Sequence, residues 1–235
     1  MAKGKKSGFW DKQYKSPTHL VLSKEPAEDL EKFCRFLQRN HGRALLNVTT
    51  AAVDIGCGNG RNILYLSRTY GMRGVGYDIS KEAIFQAVQA AKAENLPLTF
   101  SVQDLRKPIP LPESSVTIAL DMMSSHILKR AEREILRTEI LRVLKPHGWL
   151  FFKSFILEED KNAARMLREF PTDEPGMYIH PEIGTAEYVW TIPEIKEFFG
   201  DDFIIHKIEK SFKHKHADGR AWKRRTASVY LEKKN

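Results

Sequence analysis

Apolar residues recur at two different spacings along this chain, and the spacing switches from segment to segment. Between Glu25 and Gln38, Leu30, Phe33, Cys34 and Leu37 fall at i, i+3, i+4 and i+7, which gathers them on one face of a helix. Pro26 suits its first turn, and the early acids suit the positive end of its dipole. Short apolar runs then alternate with helical patterns. Strands are predicted over 51–56, 74–79, 98–103, 116–122 and 148–155, and helices over 61–69, 81–95 and 131–144. Ser80 caps the second of these helices, and Lys145-Pro146-His147-Gly148 stops the third. The pattern then changes to a helix at 193–199 and two strand-like runs, 203–212 and 226–231, joined across the turn signal Asp218-Gly219. This order predicts an α/β fold: a seven-stranded, mostly parallel sheet with helices on both faces and a C-terminal antiparallel hairpin.

The most informative stretch is VDIGCGNGRN, Val53 to Asn62. Gly56, Gly58 and Gly60 follow a predicted strand and open a helix. Glycine belongs where backbone turns sharply or approaches a ligand without a Cβ in the way. The dinucleotide fingerprint needs glycine at its first, third and sixth positions, and the sixth is Arg61. No Gly-Lys-Ser/Thr follows, so the loop is not that of a nucleotide triphosphatase either. Asp78 ends the second strand, where a carboxylate can accept from both hydroxyls of a ribose. Asp104 follows the third strand, where it can meet an adenine amino group or serve only as a loop carboxylate. The three features share the C-terminal edge of the sheet, where ligands bind in such folds.

This set resembles the class I S-adenosylmethionine-dependent methyltransferases, with their Rossmann-like sheet. The resemblance runs through VDIGCGNGRN, GVGYDIS, SVQDLRKPIPLPESSVTIALDMM and LRVLKPHGWLFF, roughly residues 50–155. It implies S-adenosyl-L-methionine as cofactor and S-adenosyl-L-homocysteine as product. It implies Asp54 and the loop Gly56, Cys57, Gly58, Asn59, Gly60 and Asn62 near the methionine part. Asp78 would hold the ribose, Ile79 would pack on the adenine, and Asp104 with Leu105 would lie at the adenine edge. Asp121 and Met122 would border the methyl donor, with a structural role for Asp121 the competing reading. Cys57 is expected to fill space, since nothing near it in sequence lowers its pKa.

The net charge of +8 changes the picture only once it is divided. Residues 1–24 carry +5 and residues 207–235 carry +7, so the middle of the chain is net −4. Basic ends suggest nucleic acid or an anionic acceptor; the class of protein is decided by the glycine loop. The segment from Lys213 to Arg225 is dense in lysine and arginine and holds His214 and His216. Solvated surface, an RNA-contacting face and a cationic acceptor wall all fit it. A narrower resemblance joins this ending, and the loop from Asp54 to Asn62, to the tellurite-resistance branch of small-molecule methyltransferases. It implies catalytic roles for His214, His216 and Arg220.

Residues 1–24 are expected to form a flexible basic flap, with Tyr14 over the cofactor or simply packed on a helix. Residues 25–235 are expected to form a single domain with a lid insertion at about 156–191. In that lid, Tyr178, His180 and Trp190 are candidate substrate residues; Trp190 in the core of the last sheet is the competing reading. Two cysteines give no disulfide framework or metal cluster, and neither a leader peptide nor a membrane span is visible, so a cytoplasmic enzyme is expected. The expected activity is methyl transfer to a small acceptor, with an anion as a candidate. The alternatives are an RNA methyltransferase and a non-catalytic cofactor-binding partner module.

Overall fold

The computed structural model describes residues 5–19, 22–212 and 224–235. The sheet runs β3(Leu98–Val102), β2(Arg73–Asp78), β1(Ala51–Ile55), β4(Val116–Met122), β5(Leu144–Phe155), β9(Thr226–Lys233), β8(Phe203–Ser211) in space. The first five pair in parallel, and β9 pairs antiparallel with both β5 and β8. The order reverses between β1 and β4, so a crevice opens at their C-terminal ends, the usual ligand position in this topology.

Burial follows the apolar spacing. In α2(Glu28–His41), Leu30, Phe33, Cys34 and Leu37 are fully buried, and Phe33 stacks on Phe151 of β5 with ring centroids 4.9 Å apart. With α3(Arg61–Tyr70), this helix covers one face of the sheet. α5(Arg130–Val143) and α7(Ile192–Gly200) cover the other through Leu136, Ile140, Ile195 and Phe199. Ser80 caps α4(Lys81–Ala93) by accepting from Ala83 N–H at 3.1 Å.

Four elements differ from the expectations. Residues 5–15, within the flap expected to be flexible, form α1(Lys5–Lys15). It rests on α4: the Asp11 carboxylate accepts from the Ser80 hydroxyl at 2.7 Å and from Glu82 N–H at 3.2 Å, an acid at a helix N-terminus. Gln86 also donates to the Tyr14 carbonyl at 2.9 Å. Second, β5 begins at Leu144 rather than Gly148. Leu144 pairs with Val116 and Trp149 with Ile118, so Lys145–Gly148 bulges out of an otherwise continuous strand, with His147 at φ +56°. Third, the expected lid contains α6(Lys161–Glu169), capped by Asp160, which accepts from Ala163 N–H at 2.8 Å. Fourth, it holds a small hairpin, β6(Met177–Ile179) with β7(Ala186–Tyr188).

Candidate active site

Past β1 the chain must turn under the next strand and rise into α3. Gly56 N–H and Cys57 N–H both donate to the Tyr77 carbonyl, at 2.8 and 2.9 Å, which locks the turn to β2. Gly56 and Gly58 sit at φ +70° and +55°, where a side chain is strained. Space forbids one as well: a Cβ on Gly56 would overlap Ser124, and one on Gly58 would overlap the Tyr14 hydroxyl. The loop thus bares its backbone beside α1.

A cavity of about 590 Å³ opens over this loop. Of the expected cofactor residues, Gly56, Cys57, Gly58, Asn59, Asn62, Asp78, Ile79, Asp104, Leu105 and Met122 line it. The Asp78 carboxylate is the hub. Oδ2 accepts from Gly58 N–H and Oδ1 from Ser80 N–H, both at 2.8 Å. Burial raises its pKa, and those N–H groups oppose the rise. Each oxygen keeps a further lone pair for a ribose hydroxyl. Asp78→Ala is expected to weaken S-adenosylhomocysteine binding by roughly 1–3 kcal/mol, the scale for hydrogen bonds to a charged group, with the loss of the Gly58 anchor adding to it. Titration calorimetry checks this; unchanged affinity would count against a ribose partner.

Asp104 is held by Arg106, whose Nε donates to Oδ1 at 2.8 Å, and that pairing keeps its carboxyl below the usual range. Asn59 donates to the Ser23 carbonyl and Asn62 accepts from Ala27 N–H, both at 3.0 Å. They tie the segment before α2 to the cleft. Burial pushes the Cys57 thiol well above its ordinary pKa, so it serves as a spacer rather than a nucleophile.

Five expected residues lie off the cavity wall. Asp54 is buried behind the loop; burial and the nearby Asp78 raise its carboxyl to about 7, and Oδ2 has no hydrogen-bond partner among the described residues. Gly60 caps α3 with φ +79°, and Phe100 and Ala87 crowd the place of its missing Cβ. Asp121 points beneath the β4 turn, where Oδ1 accepts from the Ser124 hydroxyl at 2.6 Å and from Ser125 N–H at 3.2 Å. It shapes the turn that carries Met122 and Met123 to the wall. Tyr178 is fully buried and donates to Glu187 at 2.5 Å, one step behind the wall. Trp190 is a core residue instead of a pocket residue, wedged edge-on against Phe152 and Tyr188 because β5 and α7 close over it. His180 and Tyr14 do line the cavity, and burial followed by the Asp78 charge raises the Tyr14 hydroxyl. His214, His216 and Arg220 lie outside the described residues.

The structure adds residues that the sequence pattern did not single out. Further along the sheet edge from the glycine loop, His126, Phe155, Glu187 and Arg224 line the same cavity. Arg224 is 1% exposed, its guanidinium lies 3.7 Å from the Phe155 ring centroid, and it pairs with Glu187 at 3.3 Å and Asp160 at 3.4 Å. Burial alone would raise the Glu187 carboxyl; the Arg224 charge and the hydrogen bond from the Tyr178 hydroxyl hold it below its ordinary range. Burial, with Arg224 and Arg133, pushes His126 down to about 4. His126 is therefore a neutral imidazole at pH 7, and its ring nitrogens are expected to show no titration above pH 5.5 in NMR spectra of histidine-labelled protein. A midpoint near 6.5 would mean the ring is solvated. The only signal in the sequence was position: His126 follows β4, and Arg224 lies two residues before β9 within the basic run.

Residues 52–148 match a family model described as methyltransferase domain. The chain is 28% identical over 136 residues to the glycine/sarcosine/dimethylglycine N-methyltransferase of Actinopolyspora halophila, which is 57% of this chain and 24% of that one. It is 28% identical over 101 residues to the fatty-acid O-methyltransferase of Mycolicibacterium smegmatis, 43% of this chain and 35% of that one. The matches thus span only a quarter to a third of these curated relatives. The crystal structure of a Methanosarcina mazei S-adenosylmethionine-dependent methyltransferase superimposes with a TM-score of 0.68 at 24% identity, over 83% of this chain and 97% of that one. Among the described residues, no helix is long and apolar enough to cross a membrane. The fold is therefore the one seen in the Methanosarcina mazei methyltransferase, and residues 52–148 carry the match to the methyltransferase-domain model.

Proposed function

We propose that this protein transfers the methyl group of S-adenosylmethionine to a small acceptor bound in the same cavity. One observation carries the reading: a single cavity runs from the bare glycine loop and Asp78 to Phe155, His126 and Arg224. Its volume of about 590 Å³ lies in the ordinary range for small-molecule sites, so a cofactor within it leaves room for a small acceptor only. When bound, the cofactor supplies a sulfonium-activated methyl group. The protein's part is to hold the acceptor close and in line, and to exclude water. Backbone at Gly56 and Gly58 admits the cofactor, Asp78 fixes the ribose, and Met122, Met123 and Phe155 give the methyl position apolar walls.

An anionic acceptor gains little from this geometry, because Arg224 already faces two carboxylates. The likeness to the tellurite-resistance branch, in the C-terminal ending and in the loop from Asp54 to Asn62, favours a small acceptor. Titration calorimetry with S-adenosylhomocysteine, against NADH as control, tests the cofactor assignment. Transfer of label from S-adenosylmethionine to small molecules of a cell extract tests the activity. Binding of NADH without S-adenosylhomocysteine would overturn the first. Label entering only macromolecular RNA would overturn the second.

A further inference from the structure

Two buried polar side chains stand side by side on the acceptor part of the wall. Arg224 divides its donors: Nη1 reaches Glu187 Oε2 at 3.3 Å and Nε faces Asp160 Oδ2 at 3.4 Å. Its Nη2 has no hydrogen-bond partner among the described residues. A buried guanidinium N–H without a partner is rare in native proteins, and at a residue that lines a cavity a ligand atom can supply that partner. Glu187 is 7% exposed, and the hydrogen bonds described for it, from Tyr178 and Arg224, both end on Oε2. Oε1 remains to accept. The wall therefore offers one donor and one acceptor next to each other, locked together by the Arg224–Glu187 contact. Met123, Ile127, Phe155 and Ile183 make the nearby wall apolar.

Charge narrows the choice of ligand. Among the described residues, the Arg224 guanidinium is balanced by Asp160 behind it and Glu187 beside it. A further anion would add a third carboxylate around one guanidinium, and a cation would sit against Arg224 in a site of low dielectric. A neutral group with adjacent donor and acceptor atoms satisfies both side chains without adding charge.

We infer that Arg224 and Glu187 read a cyclic amide edge, of the lactam or imide kind, on the methyl acceptor. Its carbonyl oxygen takes the Arg224 Nη2 proton, and its ring N–H is given to Glu187. This deepens the methyltransferase reading and rests on it. Tyr178 and Asp160 act as positioning residues, since they hold Glu187 and Arg224 without lining the cavity.

Calorimetry on the full chain saturated with S-adenosylhomocysteine tests the inference, with 2-pyridone, N-methyl-2-pyridone, benzoate and benzylamine as probes. The expected result is saturable binding of 2-pyridone, about tenfold or more tighter than the other three, because an analogue lacking the N–H leaves a buried group unpaired. Arg224→Lys and Glu187→Gln should each weaken 2-pyridone several-fold and leave S-adenosylhomocysteine affinity unchanged. Tighter binding of benzoate would overturn the inference in favour of an anionic acceptor, and of benzylamine in favour of a cationic one. Equal binding of the N-methyl probe, or no probe binding, would also overturn it. Should either variant fail to fold, the ranking of probes on the unmodified protein decides alone. A protein that does not bind S-adenosylhomocysteine would defeat the underlying reading instead, and the two failures are thereby distinguished.

Discussion

Gly58→Val is expected to lower affinity for S-adenosylhomocysteine by about 100-fold or more, roughly 2.7 kcal/mol. Three effects act at one position. The backbone stands at φ +55°, where an L-residue costs about 1–2 kcal/mol and a β-branched one more. The new side chain would overlap the Tyr14 hydroxyl, so either α1 lifts or the loop retreats. A retreating loop gives up the 2.8 Å hydrogen bond from Gly58 N–H to Asp78, and the proposed ribose partner loses its anchor. Calorimetry reads the affinity, and a melting curve reads the stability separately. Gly42→Val is the control. Gly42 stands at φ +59° at the end of α2 with open space around it, so it suffers the strain without touching the cleft. Affinity in Gly58→Val within threefold of the unmodified protein would mean the loop is not the cofactor cradle.

That loop was legible in the sequence because its requirement is local. Glycines at alternating positions between a strand and a helix need no tertiary information, and Asp78 and Asp104 close the argument by sitting at the ends of the next two strands. The sheet was legible for a similar reason. Buried parallel strands read as short apolar runs, and their helices repeat at 3.6 residues. The proposed acceptor side was not legible, because it is assembled from afar. Glu187 comes from the β6–β7 hairpin, Arg224 from just before β9 and His126 from the turn after β4, each set in place only by the sheet order. Glu187 stands beside two aromatics, which draws attention to Tyr188 and Trp190. Both of those pack into the core. Arg224 hides in a basic run, where charge counting treats every cation as surface, although this one is buried. α6 did carry a signal: Asp160 three residues before Ala163 and six before Met166 is a cap followed by an apolar face. α1 carried little, since Phe9, Trp10 and Tyr14 stand among lysines, and its fixed position comes from Asp11 on α4.

Asp160→Ala is expected to destabilise the protein by about 3–5 kcal/mol, which lowers the melting temperature by roughly 10 °C in a chain of this size. The carboxylate is 2% exposed and joins three things. Oδ1 caps α6 through Ala163 N–H, and Oδ2 accepts from Arg225 N–H, each at 2.8 Å. Oδ2 also faces Arg224 Nε at 3.4 Å. Loss of a cap alone costs about 1 kcal/mol, and a backbone N–H left without its partner costs about 1–3 kcal/mol. The larger part comes from Arg224, which is buried and would keep a single carboxylate, Glu187, to offset its charge. Asp160→Asn separates these contributions. Its amide oxygen can still cap α6, so its loss should be smaller and should come from the ion pair and the Arg225 contact. Thermal or urea unfolding of both variants checks the order. An alanine variant melting within about 2 °C of the unmodified protein would show that Arg224 does not depend on Asp160. If the alanine variant does not accumulate as folded protein, the asparagine variant still reports, since a buried ion pair at this position must cost stability when one charge is removed. The consequence reaches the site. Asp160 fixes the first residues of β9 against α6, so a measurable loss of order there should displace Arg224 from the cavity wall and weaken acceptor binding while cofactor affinity stays as it was.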